Sequence, residues 1–324
     1  MTPAGLHYLL IHYDIPVVDP AGWRLAVTGR VDHELSLSLD DLRARPAVTT
    51  AVTLECAGNG RAQLSPRPLS QPWLFEAVGT AEWTGTPLRG LLEDAGIGAG
   101  AVEVAFRGLD RGIEGDEEQL YERSLPLAEA LGDHVLLAYE MNGAPLPPQH
   151  GFPLRLVVPG WYGMASVKWL ERISVLDSPF GGYQQARGYR VRQTPDEDGE
   201  PVSRIVPRSL IIPPGVPDFA TRARTLADGP CVVRGRAWSG LAPVERVEVS
   251  ADGGETWGDA RLGPQASRWA WRSWEWDWEP PGPGTYELCS RATDDAGNTQ
   301  PLEAPWNLGG YANNEVHRVE VAVA

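Results

Sequence analysis

Cysteine is scarce in this chain of 324 residues, which contains Cys56, Cys231 and Cys289 and no others. An odd number of cysteines, none of them in a C-x-x-C spacing, excludes a disulfide framework. The same spacing offers no cage for zinc or for an iron–sulfur cluster. Each thiol is therefore either a small buried apolar group or a single ligand.

Long apolar runs and an excess of positive charge are also missing. No stretch approaches the roughly 20 apolar residues of a membrane-spanning helix, and residues 1–7 lack the basic start and apolar core of a signal peptide. We therefore expect a cytoplasmic protein without a membrane span, or a periplasmic one if the chain is a trimmed mature form. The net charge of −15 argues against nucleic acid as a partner.

Tryptophan, proline and glycine are abundant, with 13, 29 and 36 copies, which favours a loop-rich protein built from sheets. The length indicates two domains, which we place at 1–202 and 203–324. In the first, short alternating runs mix with helix signals. Ser38 is typical of a helix N-cap. Thr86 is typical of a second N-cap, with Pro87 as the first helical residue, and a third helix is predicted at 124–131. The predicted fold class is α+β, with a mixed α/β first domain.

The second half of the chain carries a different pattern, without helix signals. Short alternating strands, separated by turn residues, are predicted at 232–238, 244–250, 271–278, 284–292 and 317–322. Such a series predicts an all-β, immunoglobulin-like sandwich. Because no titratable groups gather there at catalytic spacing, we interpret it as a packing or dimerisation module.

Residues 53–61 (Thr-Leu-Glu-Cys-Ala-Gly-Asn-Gly-Arg) combine a strand end with a glycine-bracketed turn. Glycine and asparagine tolerate positive φ, so the turn can bring its backbone close to a ligand. Cys56 at its front and Arg61 behind it suit a metal or anion site. The alternative is a non-catalytic binding module in which Cys56 is simply buried.

Other polar groups of the first half lie mostly in turns at predicted strand ends, where binding groups collect. Together with Cys56 they offer one soft ligand and several donors for phosphate. No Walker loop and no G-x-G-x-x-G after a strand is present, so nucleotide-binding folds have little support. These groups are His12, Asp110, His150, Arg155, Ser166, Lys168 and, in the irregular stretch that follows, Tyr189 and Arg190.

Residues 53–61 resemble the metal-ligand motif of the sulfite oxidase family of molybdopterin enzymes. Further stretches resemble motifs of that family in the same order, and the resemblance extends from His7 to Val323. Several ordered motifs are far more specific than the cysteine motif alone. They are 150–155 (His-Gly-Phe-Pro-Leu-Arg), 158–163 (Val-Pro-Gly-Trp-Tyr-Gly), 166–170 (Ser-Val-Lys-Trp-Leu), and 298–301 (Asn-Thr-Gln-Pro) with Trp306 and Asn307.

The resemblance implies a molybdopterin cofactor carrying molybdenum, with Cys56 as the protein thiolate on the metal. Arginine and lysine near the pterin would neutralise its phosphate. The positions that correspond to the family's cofactor-binding residues are His12, Asp110, His150, Arg155, Ser166, Val167 and Lys168.

The resemblance also implies the reaction, a two-electron oxygen-atom transfer like that of sulfite oxidases and dehydrogenases. Arg61 would face a small anionic or oxo substrate, Tyr189 would lie beside the metal's oxo group, and Trp73 would line the substrate pocket. No cytochrome b5 or haem-attachment signature is present, so electrons would pass to an external acceptor such as a cytochrome. The second domain would pair two subunits into a homodimer.

Two expected arginines are missing, because Leu10 and Gly309 stand at positions where the family binds an anionic substrate. Each charge-assisted contact contributes roughly 1.5–3 kcal/mol, so the loss of both would weaken binding of a dianion about 100-fold or more. Either Arg187 or Arg190 compensates, or the substrate is a less charged S- or N-oxide. A hydrolase with Cys56 as nucleophile would need a positioned histidine base, and the resemblance assigns both His12 and His150 to the pterin.

Overall fold

The computed structural model describes residues 1–324 and divides them into two units. The first unit comprises 1–203 together with 307–311, and the second comprises 204–306 together with 312–324. A short stretch that follows most of the second unit in sequence therefore belongs to the first. No helix in the structure has the length and apolar character needed to cross a membrane. The functional split between 1–202 and 203–324 stays a prediction.

The first unit contains twelve strands, arranged in two larger sheets and one short pair. One sheet has the order β2-β1-β10-β5-β6, in which β1 and β10 are parallel; the other has the order β3-β4-β7-β8, with β9 also paired to β7. The strands are β1 Leu25–Gly29, β2 Leu35–Leu37, β3 Val48–Glu55, β4 Val78–Pro87, β5 Glu103–Glu114, β6 Glu117–Pro126, β7 Leu136–Met141, β8 Ala144–Pro145, β9 Arg155–Val157, β10 Leu170–Leu176, β11 Arg190–Val191 and β12 Glu200–Pro201.

Three short α-helices complete this unit: α1 Leu39–Arg43, α2 Leu88–Ala95 and α3 Leu127–Ala130. The apolar face of α2 is buried in a core that it shares with strands of both larger sheets, among them Val27, Phe106 and Leu137. Burial of apolar area is the main force that holds such short helices, which are marginal alone. The mixed α+β class and the all-β second half predicted from the sequence are confirmed.

One predicted helix cap is correct and another is wrong. Ser38 caps α1, and its side chain accepts a hydrogen bond from the backbone N–H of Asp41. Thr86 does not cap α2, because β4 continues through Pro87 and pairs Thr86 with Leu137. Sheet pairing outside the local window thus overrides the local capping signal.

The third predicted helix, 124–131, is mostly wrong. Ser124 lies in β6, opposite Ala105 of β5, and α3 is confined to Leu127–Ala130. Sheet pairing again decides the outcome, because β6 extends through Pro126 before the helix begins.

Between the end of β10 at Leu176 and the end of this part of the first unit at Ser203, the chain has little regular structure. It includes one turn of π-helix, Gln184–Gly188, followed by the short pair β11–β12. π-turns are uncommon and frequently lie at functional sites. This one ends directly before Tyr189.

The second unit is a β-sandwich of a four-stranded sheet, β13-β16-β20-β19, and a six-stranded sheet, β14-β15-β22-β21-β17-β18. One core receives Val233 and Trp274 from the first sheet and Val247, Leu288 and Val321 from the second. The strands are β13 Arg208–Ile212, β14 Val216–Pro217, β15 Arg224–Leu226, β16 Cys231–Trp238, β17 Val244–Ser250, β18 Gly258–Asp259, β19 Arg261–Leu262, β20 Arg272–Trp278, β21 Gly284–Asp294 and β22 His317–Val323.

Candidate active site

Cys56 begins the turn that follows β3, and the structure buries its thiol. Its backbone N–H donates to the carbonyl of Ala77 at 2.9 Å, and its own carbonyl accepts from the N–H of Asn59 at 2.9 Å. The Asn59 amide bridges onward to the Glu55 carboxylate at 2.9 Å and to the Ala77 N–H at 3.2 Å. These bonds fix the turn, and burial raises the pKa of the Cys56 thiol above its ordinary value.

Arg61 folds back over this turn and is buried. A Cβ at Gly58 would lie 2.6 Å from the guanidinium carbon, so the glycine makes room for the arginine. The Arg61 side chain donates to the carbonyls of Gly309 at 2.7 Å and Gln71 at 3.2 Å, and it lies over the Tyr311 ring at 5.1 Å. All its hydrogen-bond partners are neutral, so its charge remains available to a ligand.

Two neighbouring pockets of the first unit meet at Cys56. The basic pocket encloses about 600 Å³ of space between protein atoms and the outer pocket about 890 Å³, in both cases including the part open to solvent. Both are lined by Leu10, His12, Cys56 and Tyr189. The basic pocket adds Asp110, His150, Arg155, Ser166 and Lys168. The outer pocket adds Arg61, Trp73, Glu114, Gln184 and Tyr311.

Arg155 and Lys168 supply the positive charge of the basic pocket. Arg155, at the start of β9, donates to the carbonyls of His150 and Ser166, each at 3.1 Å, and stacks on the Trp83 ring. Lys168 donates to the carbonyl of Leu10 at 2.8 Å. Neither cation forms an ion pair, although the charge of the nearby Asp110 carboxylate acts on Lys168.

Burial perturbs the titrating groups of this pocket. Desolvation lowers the pKa of His12 and of His150 to about 4, and lowers that of Arg155 to about 10. The pKa of Lys168 falls to about 7, first by burial and then by the nearby Arg155 charge. Burial raises the pKa of Asp110 to about 6.

The basic pocket fits an anionic ligand that brings its own polar groups. Its cations are desolvated and satisfied only by carbonyls, and Asp110 Oδ1 is buried with no hydrogen-bond partner. Buried charge without a counter-charge is costly, and a phosphate would supply charge-assisted bonds to arginine and lysine. A pterin would offer N–H groups to the free carboxylate oxygen. The structure contains no cluster of three or more His, Cys, Asp or Glu side chains that could hold a metal.

The predicted residues 166–168 divide between pocket and core. Ser166 and Lys168 line the basic pocket, and the Ser166 hydroxyl accepts from the Val158 N–H at 3.1 Å. The Val167 side chain is fully buried in the core instead. Both backbone groups of Val167 are already bonded, its N–H to the carbonyl of Ala165 and its carbonyl to the N–H of Leu156, so its role in cofactor binding stays a prediction.

Tyr189 connects the two pockets through His12. The Tyr189 hydroxyl and His12 Nε2 form a hydrogen bond, and the Tyr189 ring lies 5.3 Å from that of Tyr311. Arg123, also buried, lies over the Tyr189 ring at 5.5 Å and donates to the carbonyl of Gln184. The tyrosine is thus held in place at the boundary shared by the two pockets.

Sequence reasoning missed several residues of this site. His7 lines the basic pocket, with its ring 5.6 Å from that of His150 and its Nε2 buried without a partner. Glu114 and Tyr311 line the outer pocket. Of these three residues, Tyr311 alone lies near a stretch that the sequence singled out, Trp306–Asn307. The other two were missed because contacts made through tertiary structure leave no trace in local spacing.

Comparison with known proteins identifies the fold and its cofactor. The family described as "Oxidoreductase molybdopterin binding domain" matches residues 12–184, and "Mo-co oxidoreductase dimerisation domain" matches 208–324. This chain belongs to the sulfite oxidase family. The family's cofactor is molybdopterin with molybdenum, so the first unit of this chain carries the domain that binds it.

Three similar proteins illustrate the relationship. Mitochondrial sulfite oxidase of Homo sapiens is 39% identical over all of this chain, which spans 62% of the human protein's length. Sulfite oxidase of Gallus gallus is 39% identical over 98% of this chain and 72% of the chicken protein. The sulfane dehydrogenase SoxCD from Paracoccus pantotrophus matches in structure with a TM-score of 0.84 and 28% identity, covering 98% of this chain and 79% of that one.

Proposed function

We propose that this protein catalyses two-electron oxygen-atom transfer at a molybdopterin-bound molybdenum, as a sulfite oxidase or dehydrogenase would. The observation that carries the proposal is the meeting of the basic pocket and the outer pocket at the Cys56 thiol. A cofactor held in one pocket would there face a substrate held in the other. The cofactor supplies the redox chemistry when bound, and the protein binds, orients and tunes it.

Cys56 is the proposed protein ligand of the metal. A thiolate suits such a soft, sulfur-rich centre. Because burial raises the pKa of this thiol, the free site holds a proton that metal binding must displace. The hydrogen-bonded turn around Cys56 keeps the sulfur in position without help from the metal.

The basic pocket is the proposed site of the pterin and its phosphate. Arg155 and Lys168 neutralise the phosphate, and the Asp110 carboxylate takes up pterin N–H groups through its free oxygen. His12 and His150, uncharged at neutral pH, provide further hydrogen bonds. Ser166 contributes its hydroxyl, and Val167 packs into the core between Ser166 and Lys168.

The outer pocket is the proposed site of the substrate. Arg61 binds the oxo or anionic group, and Trp73 forms part of the wall. Tyr189 hydrogen-bonds near the reacting oxygen and can move a proton to or from His12, its hydrogen-bond partner. The π-turn Gln184–Gly188 ends directly before Tyr189, and the Tyr189 N–H donates to the carbonyl of Gln184 in that turn.

We also propose that electrons leave to a separate carrier such as a cytochrome, and that the second unit pairs two copies of the chain. The description of the family that matches 208–324 as a dimerisation domain supports the pairing. The proposal of an external carrier rests on the absence of a haem-attachment signature in this sequence.

Steady-state assays of the molybdenum-loaded protein test this function. With sulfite and an artificial acceptor we expect turnover that is lost in Cys56→Ser and kept in Cys231→Ser, since Cys231 lies in the second unit. A loaded protein that transfers oxygen to or from no S- or N-oxo compound would contradict the proposal.

A less charged substrate is the second candidate, favoured by the outer pocket's short supply of cations. Leu10 and Gly309 replace the two further arginines of the family. Arg187 and Arg190 do not line the pocket, and Arg190 donates to the carbonyls of Asp198 and Gly199 instead. A Cβ at Gly309 would lie 2.3 Å from the Tyr311 ring, so an arginine there would displace the tyrosine.

A sulfite KM far above the millimolar range would support this second candidate, because typical KM values lie at or below that level. A KM in the micromolar range would contradict it.

A further inference from the structure

The tip of the β5–β6 hairpin brings a carboxylate into the outer pocket. Ile113 and Glu114, the last residues of β5, both line the pocket, whereas Asp110 of the same strand lines the basic pocket. Asp110 and Glu114 are four positions apart, and alternate residues of a strand share a face. One strand therefore supplies an acidic side chain to each pocket.

Glu114 is held in place and is not a loose surface charge. Its Oε2 accepts a hydrogen bond from the Tyr13 hydroxyl at 2.9 Å and another from Gln184 Nε2 at 2.6 Å. Gln184 belongs to the π-turn that precedes Tyr189, and its amide also donates to the Tyr13 hydroxyl at 2.9 Å. A fixed carboxylate acts on a ligand without first losing side-chain entropy.

The backbone of the hairpin tip is also packed tightly. A Cβ at Gly112 would lie 2.6 Å from the Tyr13 ring, and one at Gly115 would lie 2.9 Å from the Tyr183 ring. The two tyrosines therefore rest directly on the glycines on either side of Glu114. The position of its carboxylate is set by packing as well as by hydrogen bonds.

Arg61 and Glu114 are the two side chains of opposite formal charge in the outer pocket. They form no ion pair with each other, because Arg61 bonds to carbonyls and Glu114 to neutral donors. Lys168 and Arg155 line the basic pocket and not this one. The formal charges of the pocket therefore cancel, and each remains available to a different part of a substrate.

This balance gives a doubly charged anion no net attraction and suits a neutral or dipolar molecule. A sulfite dianion would gain one arginine and meet a fixed carboxylate, and like charges at pocket dimensions disfavour binding. A molecule with an oxo group for Arg61 and an amine for Glu114 would satisfy both.

We infer that Glu114 determines substrate specificity, so that the pocket takes a neutral or amine-bearing S-oxide, or the thioether that is its reduced form. This inference rests on the proposed oxygen-atom transfer. Oxidation of the thioether takes an oxygen atom from water and releases two protons and two electrons to the external acceptor. Reduction of the S-oxide runs the same balance in reverse, with the external carrier as reductant.

Three methyl alkyl sulfoxides, identical except for a terminal amine, amide or carboxylate, test the inference in the molybdenum-loaded protein. Their dissociation constants are measured by titration calorimetry for the wild type, Glu114→Gln and Glu117→Gln. Glu117 is the exposed cross-strand neighbour of Glu114 outside the pocket, and it serves as the matched control.

We expect the wild type to bind the amine and the amide at least 5-fold more tightly than the carboxylate, because a fixed carboxylate repels the anion. Glu114→Gln should weaken amine binding about 5- to 10-fold, and should tighten carboxylate and sulfite binding by a similar factor. Glu117→Gln should keep the wild-type order.

Tightest binding of the carboxylate, binding of none of the three, or an unchanged order in Glu114→Gln would overturn the inference. So would an equal change in Glu117→Gln. The proposed function fails separately, by the absence of oxygen-atom transfer in loaded protein, because the calorimetric order does not depend on turnover.

Discussion

Arg61 shows how much a single side chain matters in this site. It reaches its position because Gly58 leaves space beneath it and because Gly309 and Gln71 present carbonyls to it. With leucine at 10 and glycine at 309, it is the arginine that faces the proposed substrate. The basic pocket lies on the other side of Cys56, so Arg61 should contribute little to cofactor retention.

Arg61→Ala should therefore lower kcat/KM for an oxo substrate by about 10- to 100-fold, while molybdenum content stays near that of the wild type. Arg190→Ala, which removes a guanidinium outside both pockets, is the control. Steady-state kinetics with metal analysis on the same samples measures both quantities. Loss of molybdenum in proportion to activity would show that the separation of roles is wrong.

The buried histidines of the first unit make its stability depend on pH. Burial lowers the pKa of His7, His12 and His150 to about 4, whereas the unfolded chain titrates near the ordinary value of 6.5. Between these values the unfolded state binds more protons, so stability is lost as pH falls from 6.5 to 4. Asp110, with its pKa raised to about 6, acts in the opposite sense, but it is one group against three.

His7→Phe should reduce this acid sensitivity, because one such histidine accounts for up to about 3 kcal/mol of the free energy of unfolding that is lost at low pH. The urea midpoint of the cofactor-free protein at pH 7 and pH 4.5 gives the measurement, and His33→Phe, at an exposed position, is the control. Identical pH dependence in His7→Phe and the wild type would contradict the assigned cause.

At the residue scale, the sequence allowed Cys56, Arg61 and the basic residues to be singled out, because they lie in ordered motifs. Motifs report residues that a family retains. Glu114 and His7 lie outside them, and Glu114 reaches the outer pocket only through the pairing of β5 with β6. Val167 belongs to a motif, yet its side chain packs into the core. Position within a motif therefore does not fix the direction of a side chain.

At the scale of elements, the strand ends do most to build the site. β3 delivers Cys56, β5 delivers Asp110 and Glu114, and β9 begins at Arg155. The β5–β6 pairing has a register shift between Arg107 and Arg111, which encloses Asp110 and comes shortly before Glu114. Such irregularities re-aim side chains next to active sites.

Gly58→Ala tests the turn that connects β3 to Arg61. The new methyl group would meet the guanidinium and push Arg61 out of the outer pocket, since the contact is far closer than van der Waals distance. We expect kcat/KM to fall by about 10-fold or more, with the Cys56 turn still able to hold metal. Gly181→Ala, where a Cβ meets no atom within 4 Å, is the control. Wild-type kinetics in Gly58→Ala would argue against this packing.

Local signals were adequate for strands and weak for helices. Alternation predicted five of the ten strands of the second unit, β16, β17, β20, β21 and β22, to within two residues at each end, because one face of each is buried in the sandwich core. It missed β13, β14, β15, β18 and β19, most of which are only two or three residues long. The predictions for Thr86 and 124–131 failed because cross-strand pairing with β7 and β5 carried β4 and β6 further than local propensity indicated. Long-range pairing is not readable from a single window of sequence.

At the scale of the whole molecule, the division into two units separates chemistry from the proposed assembly. Both pockets that meet at Cys56 lie in the first unit, including the returning stretch 307–311. The second unit is all-β, and its family description points to pairing of subunits.

We therefore expect a dimer of about twice the chain mass of 35.2 kDa in solution. Light scattering after size-exclusion chromatography measures the mass directly. A mass of one chain at micromolar concentration would contradict the proposed pairing.

The central claim is that Cys56 is the protein ligand of a molybdopterin-bound molybdenum. X-ray absorption at the molybdenum edge counts the sulfur atoms around the metal, and it applies to the wild type, Cys56→Ser and the control Cys231→Ser alike. The account predicts about one molybdenum per wild-type chain and one sulfur neighbour fewer in Cys56→Ser, with Cys231→Ser unchanged. An equal number of sulfur neighbours in all three proteins, or no molybdenum in wild-type protein made with the cofactor supplied, would contradict it.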